Sequence, residues 1–278
     1  MGAIDFRFRP IGTQSITPEL TYEYLRKMRL PPAPSFVHQD IDMMFAEMDE
    51  AGIDMGVIGV PAPTDKPGFE STANNEIAAL VARYPQRFVG FGCLDTSDPA
   101  RALRELEHVI DLGFVGVTVE PSTARVSRRV DDRVFYPLYE EAQKQGVLVL
   151  TVMSCLLGPY MDDCKPEWLD HVATDFPELT LIIQHGAWPY SREAVGLAYK
   201  QPNVYIVPGQ YVHYEFPGSE DYVKAANRSL SEQMLFGSVY PNCGPLSDVM
   251  RIVDDLGFAN DEIKWKYLSG NARRLLKL

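Results

Sequence analysis

The chain has 278 residues, of which 46% are hydrophobic and 23% charged, and its formal net charge is -12 at pH 7. The acidic balance disfavours nucleic acids and membranes as partners, because phosphate backbones and anionic membrane surfaces bind basic faces. No apolar run reaches the length of a membrane span, no signal peptide is visible, and the four cysteines form no CxxC pair. We therefore expect a cytoplasmic globular protein.

The first predicted strand alternates apolar and polar residues and places Asp5, Arg7 and Arg9 on one face. Two guanidiniums that project together at the end of a strand are costly unless they meet an anion. We interpret Arg7 and Arg9 as a clamp for a substrate carboxylate or phosphate. The alternative is structural pairing with Asp5, Glu120 or Asp95 inside the fold.

A Pro-rich insertion at residues 10–39 follows this strand. Long loops without regular structure in a compact domain are often lids or binding segments. We expect the insertion to lie over the face that carries the active site, as a lid or dimer arm; a plain surface excursion is the alternative.

Further along the chain, short apolar segments alternate with helical patterns, as in a sheet of buried parallel strands. The predicted strands are Ala3–Phe8, Met55–Val60, Phe88–Leu94, Val115–Glu120, Val147–Met153, Leu179–Gln184, Val204–Val207 and Met234–Ser238. The predicted helices are Asp40–Ala51, Thr72–Tyr84, Asp98–Leu112, Asp132–Gln145, Pro166–Asp175, Ser191–Lys200, Glu220–Leu230, Pro245–Leu256 and Asn260–Leu276.

Eight strands that are each followed by a helix predict an α/β fold, a single-domain (β/α)8 TIM barrel over residues 1–278. The alternative is a doubly wound sheet. It usually carries a Gly-rich phosphate loop after the first strand, and the sequence has none there.

Catalytic groups of TIM barrels come from the C-terminal ends of the strands. His185 is the strongest catalytic candidate, because it ends an apolar strand and is followed by Gly186, which permits close approach of a ligand. An imidazole there would act as a general acid or base near neutral pH. A buried, hydrogen-bonded histidine is the alternative. Glu120 and Asp95, which follow the fourth and third predicted strands, are the other catalytic candidates.

Aromatic and small polar residues near the same strand ends predict the walls of a small-molecule pocket. Ordinary core packing would give the same pattern. The predicted substrate-binding residues, besides Arg7 and Arg9, are Trp188, Tyr190, Tyr211, Tyr240, Met153 and Ser238.

Several segments together resemble the amidohydrolase superfamily, in particular its amidohydrolase-related branch with carboxymuconate-semialdehyde decarboxylases and pyrone-dicarboxylate lactonases. The resemblance extends over nearly the whole chain. The segments that carry it are residues 4–10 (IDFRFRP), 88–92 (FVGFG), 136–139 (YPLY), 177–179 (PEL), 185–186 (HG), 202–205 (PNVY), 235–241 (LFGSVYP) and 270–276 (GNARRLL). It implies a TIM barrel that acts on a small carboxylated compound.

The metal site of that superfamily does not carry over. The resemblance places its two first-strand histidines at Arg7 and Arg9, its fifth-strand histidine in the histidine-free segment Thr151–Met153, and its eighth-strand aspartate at Val239. Only the sixth-strand histidine is retained, as His185. A catalytic zinc ion needs about three protein ligands. We expect no cofactor and no catalytic metal; a divalent metal such as zinc is the alternative.

These observations predict a metal-independent hydrolase, lactonase-like, that acts on a small carboxylated cyclic or aromatic compound. His185 would be its acid or base, and Arg7 and Arg9 would bind the substrate anion. The alternatives are a decarboxylase or hydratase (a lyase) of the same superfamily and a catalytically inactive ligand-binding barrel. We expect a small anionic substrate as ligand, no nucleic acid or membrane partner, and a homodimer or higher homo-oligomer.

Overall fold

The computed structural model describes residues 2–13, 18–59, 69–124, 126–156 and 158–278. The strands in this part of the chain are all parallel and form one sheet in sequence order, with helices between them, which confirms the predicted α/β barrel. The strands are β1 (Ala3–Phe8), β2 (Ile53–Gly59), β3 (Phe88–Cys93), β4 (Gly116–Val119), β5 (Leu148–Val152), β6 (Leu181–Gln184) and β7 (Val204–Val207).

The eighth predicted strand, Met234–Ser238, is not a regular strand, although its segment nearly closes the barrel. Met234 forms an isolated bridge with Ile206 of β7, and Tyr240 forms one with Phe8 of β1. The regular ladder fails because the N–H of Ser238 donates to the side chain of Asp5 instead of to a strand backbone. We call residues 233–240 the closing segment.

Strand β1 leads into the predicted arginine pair, and its alternation is broken. Phe6 belongs to the apolar cluster that the strands enclose, whereas Phe8 belongs to the cluster between the sheet and the helices. The pairing of β1 with β2 shifts register between Asp5 and Phe8. The regular alternation that the sequence predicts for this strand, with its aromatic residues on one face, is therefore wrong at Phe8, because an irregularity of one residue reverses the side to which later residues point.

The helices of the described residues are α1 (Pro18–Met28), α2 (Pro34–His38), α3 (Ile41–Glu50), α4 (Phe69–Arg83), α5 (Pro99–Asp111), α6 (Tyr136–Gln145), α7 (Pro166–Asp175), α8 (Ser191–Lys200), α9 (Gln210–His213), α10 (Glu220–Ala226), α11 (Leu246–Asp254), α12 (Asp261–Trp265) and α13 (Asn271–Leu276). The helices that connect consecutive strands pack on the outside of the sheet. Asp40 and Asp98 cap α3 and α5 through their side chains.

Several predicted boundaries differ from those of the structure by up to four residues, as at the end of the helix predicted over Glu220–Leu230, which stops at Ala226. Two further corrections have a visible structural reason. The last predicted helix, Asn260–Leu276, is divided by a π-helical turn at Lys266–Gly270, where Gly270 packs so closely on the ring of Trp265 that a Cβ would lie 2.5 Å from it. The second strand begins earlier than predicted, because Ile53 already pairs with Ala3. The predicted end of that strand, Val60, lies outside the described residues. No helix in the described ranges has the length and apolarity needed to cross a membrane.

Candidate active site

A pocket of about 400 Å³ lies at the C-terminal ends of the strands. Arg7 of β1, Arg9 just after β1 and His185 after β6 line it, at the end of the sheet where TIM barrels carry their active sites. Helix α1, which belongs to the insertion at residues 10–39, also contributes to the wall. The remaining lining residues are Leu20, Thr21, Glu23, Tyr24, Lys27, Ser154, Leu156, Gln210, Val239 and Asn242.

Arg7 and Arg9 bring two positive charges to this pocket. Arg7 is 4% exposed, and the Nε atoms of both side chains are buried without a hydrogen-bond partner among the described residues. Burial lowers the pKa of Arg7, and the charge of Arg9 lowers it further. A guanidinium nevertheless remains protonated, because its ordinary pKa is so high. Two desolvated cations without a bonded counter-ion are costly, so the pocket is suited to an anion.

Asp5 does not form the ion pair that would make Arg7 structural. Its carboxylate accepts the backbone N–H groups of Arg7 and Ser238, each at 2.9 Å. Burial raises the pKa of Asp5 to about 6, against the effect of these hydrogen bonds and of the Arg7 charge. Asp5 therefore fixes the closing segment to β1 through backbone bonds.

Glu120 is a buried carboxyl, 6% exposed, that follows β4. Burial raises its pKa to about 7, and the charges of Arg9 and Arg7 partly oppose that rise. Among the described residues it has no ion pair within 4.0 Å and it does not line the pocket. Glu120 thus acts on the two guanidiniums through its charge, which is present only above neutral pH.

His185 faces the pocket with both ring nitrogens buried and without a partner in the described part of the chain. Burial lowers its pKa well below the ordinary value, and the charges of Arg7 and Arg9 add to the effect. The resting imidazole is therefore neutral. The alternative of a buried histidine held by hydrogen bonds is not what the structure shows.

The turn that presents His185 has an unusual backbone. His185, Gly186 and Ala187 have φ values of 64°, 60° and 60°. Left-handed conformations cost about 1–2 kcal/mol for each residue with a Cβ. The hydroxyl of Tyr222 donates to the carbonyl oxygen of Gly186 at 2.8 Å and holds the turn in place. Such strain is typical of functional positions.

Two of the predicted aromatic residues pack next to His185 without lining the pocket. Tyr211 is fully buried, and its ring meets that of His185 edge to face at 6.1 Å. Trp188 stacks on Tyr211 at 4.9 Å and donates from Nε1 to the carbonyl oxygen of Pro217. Neither ring belongs to the described pocket wall. Tyr211 packs on the imidazole and Trp188 packs on Tyr211, so both rings hold His185 in position.

Other predicted site residues are not brought to the pocket wall. Met153 packs in the cluster between the sheet and the helices, since its neighbour Ser154 is the residue that points to the pocket. Tyr190 is partly buried just before α8. Ser238 accepts the N–H of Tyr240 at 2.9 Å. The carboxylate of Asp95 closes a turn by accepting the backbone N–H of Ser97 at 3.0 Å.

Tyr240 also points away from the pocket. Its ring stacks on Phe8 at 4.8 Å, and its hydroxyl lies 2.7 Å from the Ser35 hydroxyl, which contacts Glu47. We expect Tyr240→Phe to lower the free energy of unfolding by about 1 kcal/mol, the net value of one hydrogen bond. Ligand affinity should stay unchanged. Denaturant titration and a binding isotherm check this; a loss of affinity without a loss of stability would place Tyr240 in the site.

Sequence reasoning missed several wall residues. Ser154 and Gln210 stand at strand ends and share the positional signal that identified His185. Tyr24, Lys27 and their neighbours on α1 carry no such signal, because only the path of the insertion brings them to the pocket.

The described residues around the pocket do not offer the ligands of a catalytic metal. Across the described ranges, no group of three or more His, Cys, Asp and Glu side chains is arranged to hold an ion. Two guanidiniums line the pocket and would repel a cation. Val239 has a φ of 72°, which Asp or Asn tolerates far better than a β-branched residue. Its backbone suits an aspartate, whereas its side chain offers no ligand.

Comparisons with known proteins match the chain to one protein family, to curated proteins and to solved structures. A family model for amidohydrolases matches residues 25–278. An uncharacterized TIM-barrel protein from Bordetella bronchiseptica is 32% identical and superposes with a TM-score of 0.88; the match covers 100% of this chain and 99% of that chain.

The gamma-resorcylate decarboxylase of Polaromonas sp. strain JS666 is 35% identical over 113 residues, which are 36% of this chain and 35% of that protein. The match thus spans about a third of the length of this curated relative. A crystal structure of dihydroxybenzoic acid decarboxylase from Polaromonas sp. JS666, with bound manganese and the inhibitor 2-nitroresorcinol, is 20% identical with a TM-score of 0.72, over 100% of this chain and 97% of that chain. An identity this low shows a shared fold alone.

Proposed function

The chain belongs to the amidohydrolase family, and from that premise we propose that it is a lyase that decarboxylates a small aromatic carboxylic acid without a divalent metal. The observation that carries the proposal is the pair of partly or fully buried guanidiniums, Arg7 and Arg9, beside an unpartnered neutral imidazole, His185. The decarboxylase names of relatives favour carbon dioxide release over the lactonase-like hydrolysis that the sequence predicted.

The substrate anion binds first to the two guanidiniums, which offer bidentate hydrogen bonds to a carboxylate. The anion cancels part of the positive charge that lowers the pKa of His185. The pKa of His185 therefore rises on binding, and the imidazole takes up a proton from solvent together with the substrate. The bound complex then holds an acid next to the ring.

His185 gives this proton to the ring carbon that bears the carboxylate. A C–H bond forms, the C–C bond to the carboxylate breaks, and its electron pair restores the aromatic ring. Carbon dioxide leaves as a neutral molecule and His185 returns to its neutral form. A clamp that bound only the departing carboxylate would stabilise the bound substrate more than the transition state, because the carboxylate loses its charge as carbon dioxide forms. The stabilisation that is specific to the transition state must therefore come from the proton that His185 transfers to the ring, and not from the clamp.

A panel of hydroxybenzoates labelled with carbon-13 at the carboxyl group tests the reaction. We expect release of labelled carbon dioxide from at least one of them. Absence of release from every acid, together with opening of a pyrone carboxylate lactone, would contradict the proposal and favour the hydrolase. The observation that favours this second candidate is the neutral resting imidazole, which suits a general base that activates water.

The charge of Glu120 predicts the pH dependence of binding. Its pKa is raised to about 7, mainly by burial, so it is neutral below that pH and anionic above it. The anion then competes with the ligand for Arg9 and Arg7. We expect the affinity for benzoate to fall as the pH rises through about 7, and Glu120→Gln to make that fall shallower, since only the part linked to proton uptake by His185 then remains. Calorimetric titrations from pH 6 to pH 8.5 check this; the same slope in the variant would contradict the assigned role.

A further inference from the structure

One side of the pocket is neutral and carries polar groups without partners. Gln210 begins α9 after β7, Asn242 follows the closing segment, and Tyr24 lies on α1. The buried oxygen of each side chain, Oε1, Oδ1 and Oη respectively, has no hydrogen-bond partner among the described residues. Gln210 is only 3% exposed.

Such atoms are costly to bury without a protein partner. A buried carbonyl oxygen without a donor costs about 1–3 kcal/mol, and a bound ligand that donates a hydrogen bond recovers that energy. Phe, Leu or Val would fill the same wall without this cost. The side-chain amides of Gln210 and Asn242 therefore indicate that the ligand carries a group that donates a hydrogen bond to this side of the pocket.

The chemistry of this side differs from that of the arginine side. An amide and a phenol carry no charge, and burial raises the pKa of Tyr24, so its hydroxyl stays protonated. Amide oxygens attract a hydroxyl or amino hydrogen and repel a second carboxylate. The closing segment lies between β7 and β1, so Gln210 and Asn242 are on the flank of the pocket next to Arg7 and Arg9.

We infer that Gln210 and Asn242 form a specificity site for a hydroxyl group that lies next to the carboxylate on the substrate ring. The carboxylate binds to the arginines, and the hydroxyl donates to an amide oxygen on the same flank. The inference rests on the proposed function, since it assumes that an aromatic carboxylate occupies the pocket. It adds which side chains distinguish hydroxylated acids from their analogues.

The test compares three probes by calorimetry: benzoate, 2,6-dihydroxybenzoate and 2,6-dimethoxybenzoate. The methoxy groups keep the oxygen atoms but donate no hydrogen bond. We expect the wild-type protein to prefer the dihydroxy acid over the dimethoxy acid by about 10-fold or more, the value of one recovered hydrogen bond. The paired variant Gln210→Met with Asn242→Leu should lose this preference, so that the dissociation constants of the dihydroxy and dimethoxy acids become nearly equal.

The outcomes separate the two proposals. If the wild-type protein binds benzoate but shows no preference for the dihydroxy acid, the specificity site is wrong and the anion site stands. If the variant loses affinity for all three acids equally, the amides are structural, and the specificity site is again wrong. If the wild-type protein binds none of the acids, the proposed aromatic carboxylate and the specificity site both fail. Circular dichroism of the variant establishes that it is folded.

Discussion

Arg7→Met should weaken benzoate binding by about 100-fold and at the same time make the free protein more stable by about 1–3 kcal/mol. Both effects have one physical cause. The guanidinium of Arg7 is desolvated and has no bonded counter-ion among the described residues, so the free protein bears its cost and the bound anion removes it. Methionine keeps most of the apolar stem and removes the charge.

The control is Lys27→Met, which removes a cation from the exposed part of the same pocket. We expect it to change affinity by less than about threefold, because exposed ion pairs contribute little. Calorimetry with benzoate and urea unfolding of both variants provide the comparison. If Arg7→Met lowers stability and leaves affinity unchanged, Arg7 is a structural residue and the anion site is elsewhere.

His185→Asn should reduce the rate of carbon dioxide release by roughly 10²–10⁴-fold, which is the usual contribution of a general acid. Asparagine is chosen because it tolerates the left-handed backbone that His185 adopts. The dissociation constant of benzoate should change much less than the rate, since the arginines remain in place. Single-turnover kinetics with the hydroxybenzoate that the wild-type protein converts fastest separates the two quantities.

His213 provides a matched control. It is a second buried histidine whose ring nitrogens have no partner in the described ranges, and burial lowers its pKa to about 3. It lies outside the pocket wall, against Phe236. We expect His213→Asn to change stability but not the rate per folded molecule. Equal losses of rate in the two variants would show that the loss at His185 arises from packing and not from proton transfer.

The barrel could be predicted from the sequence because its strands are buried on both faces and read as short apolar runs. The first and seventh strands have the predicted boundaries. The sequence pattern could not show that the eighth predicted strand is irregular, since Met234–Ser238 is as apolar as the regular strands. Its irregular form depends on a contact between Asp5 and Ser238, which are 233 residues apart in the chain.

Position at a strand end was enough to predict that Arg7, Arg9 and His185 lie near one another, and the structure has all three in one pocket wall. Tyr240 and Met153 also lie near strand ends but are not part of the described wall, because that position does not specify which side a residue faces. The contribution of α1 depends on how the insertion folds back over the barrel. Local periodicity does not encode that path.

The measurement that tests the central claim most directly is carbon dioxide release by metal-free protein. The purified protein is treated with a strong chelator, its metal content is determined by elemental analysis, and the labelled hydroxybenzoate is added. The account predicts far less than one metal ion per chain and an undiminished rate. A rate that disappears with the chelator and returns in proportion to added manganese or zinc would contradict it.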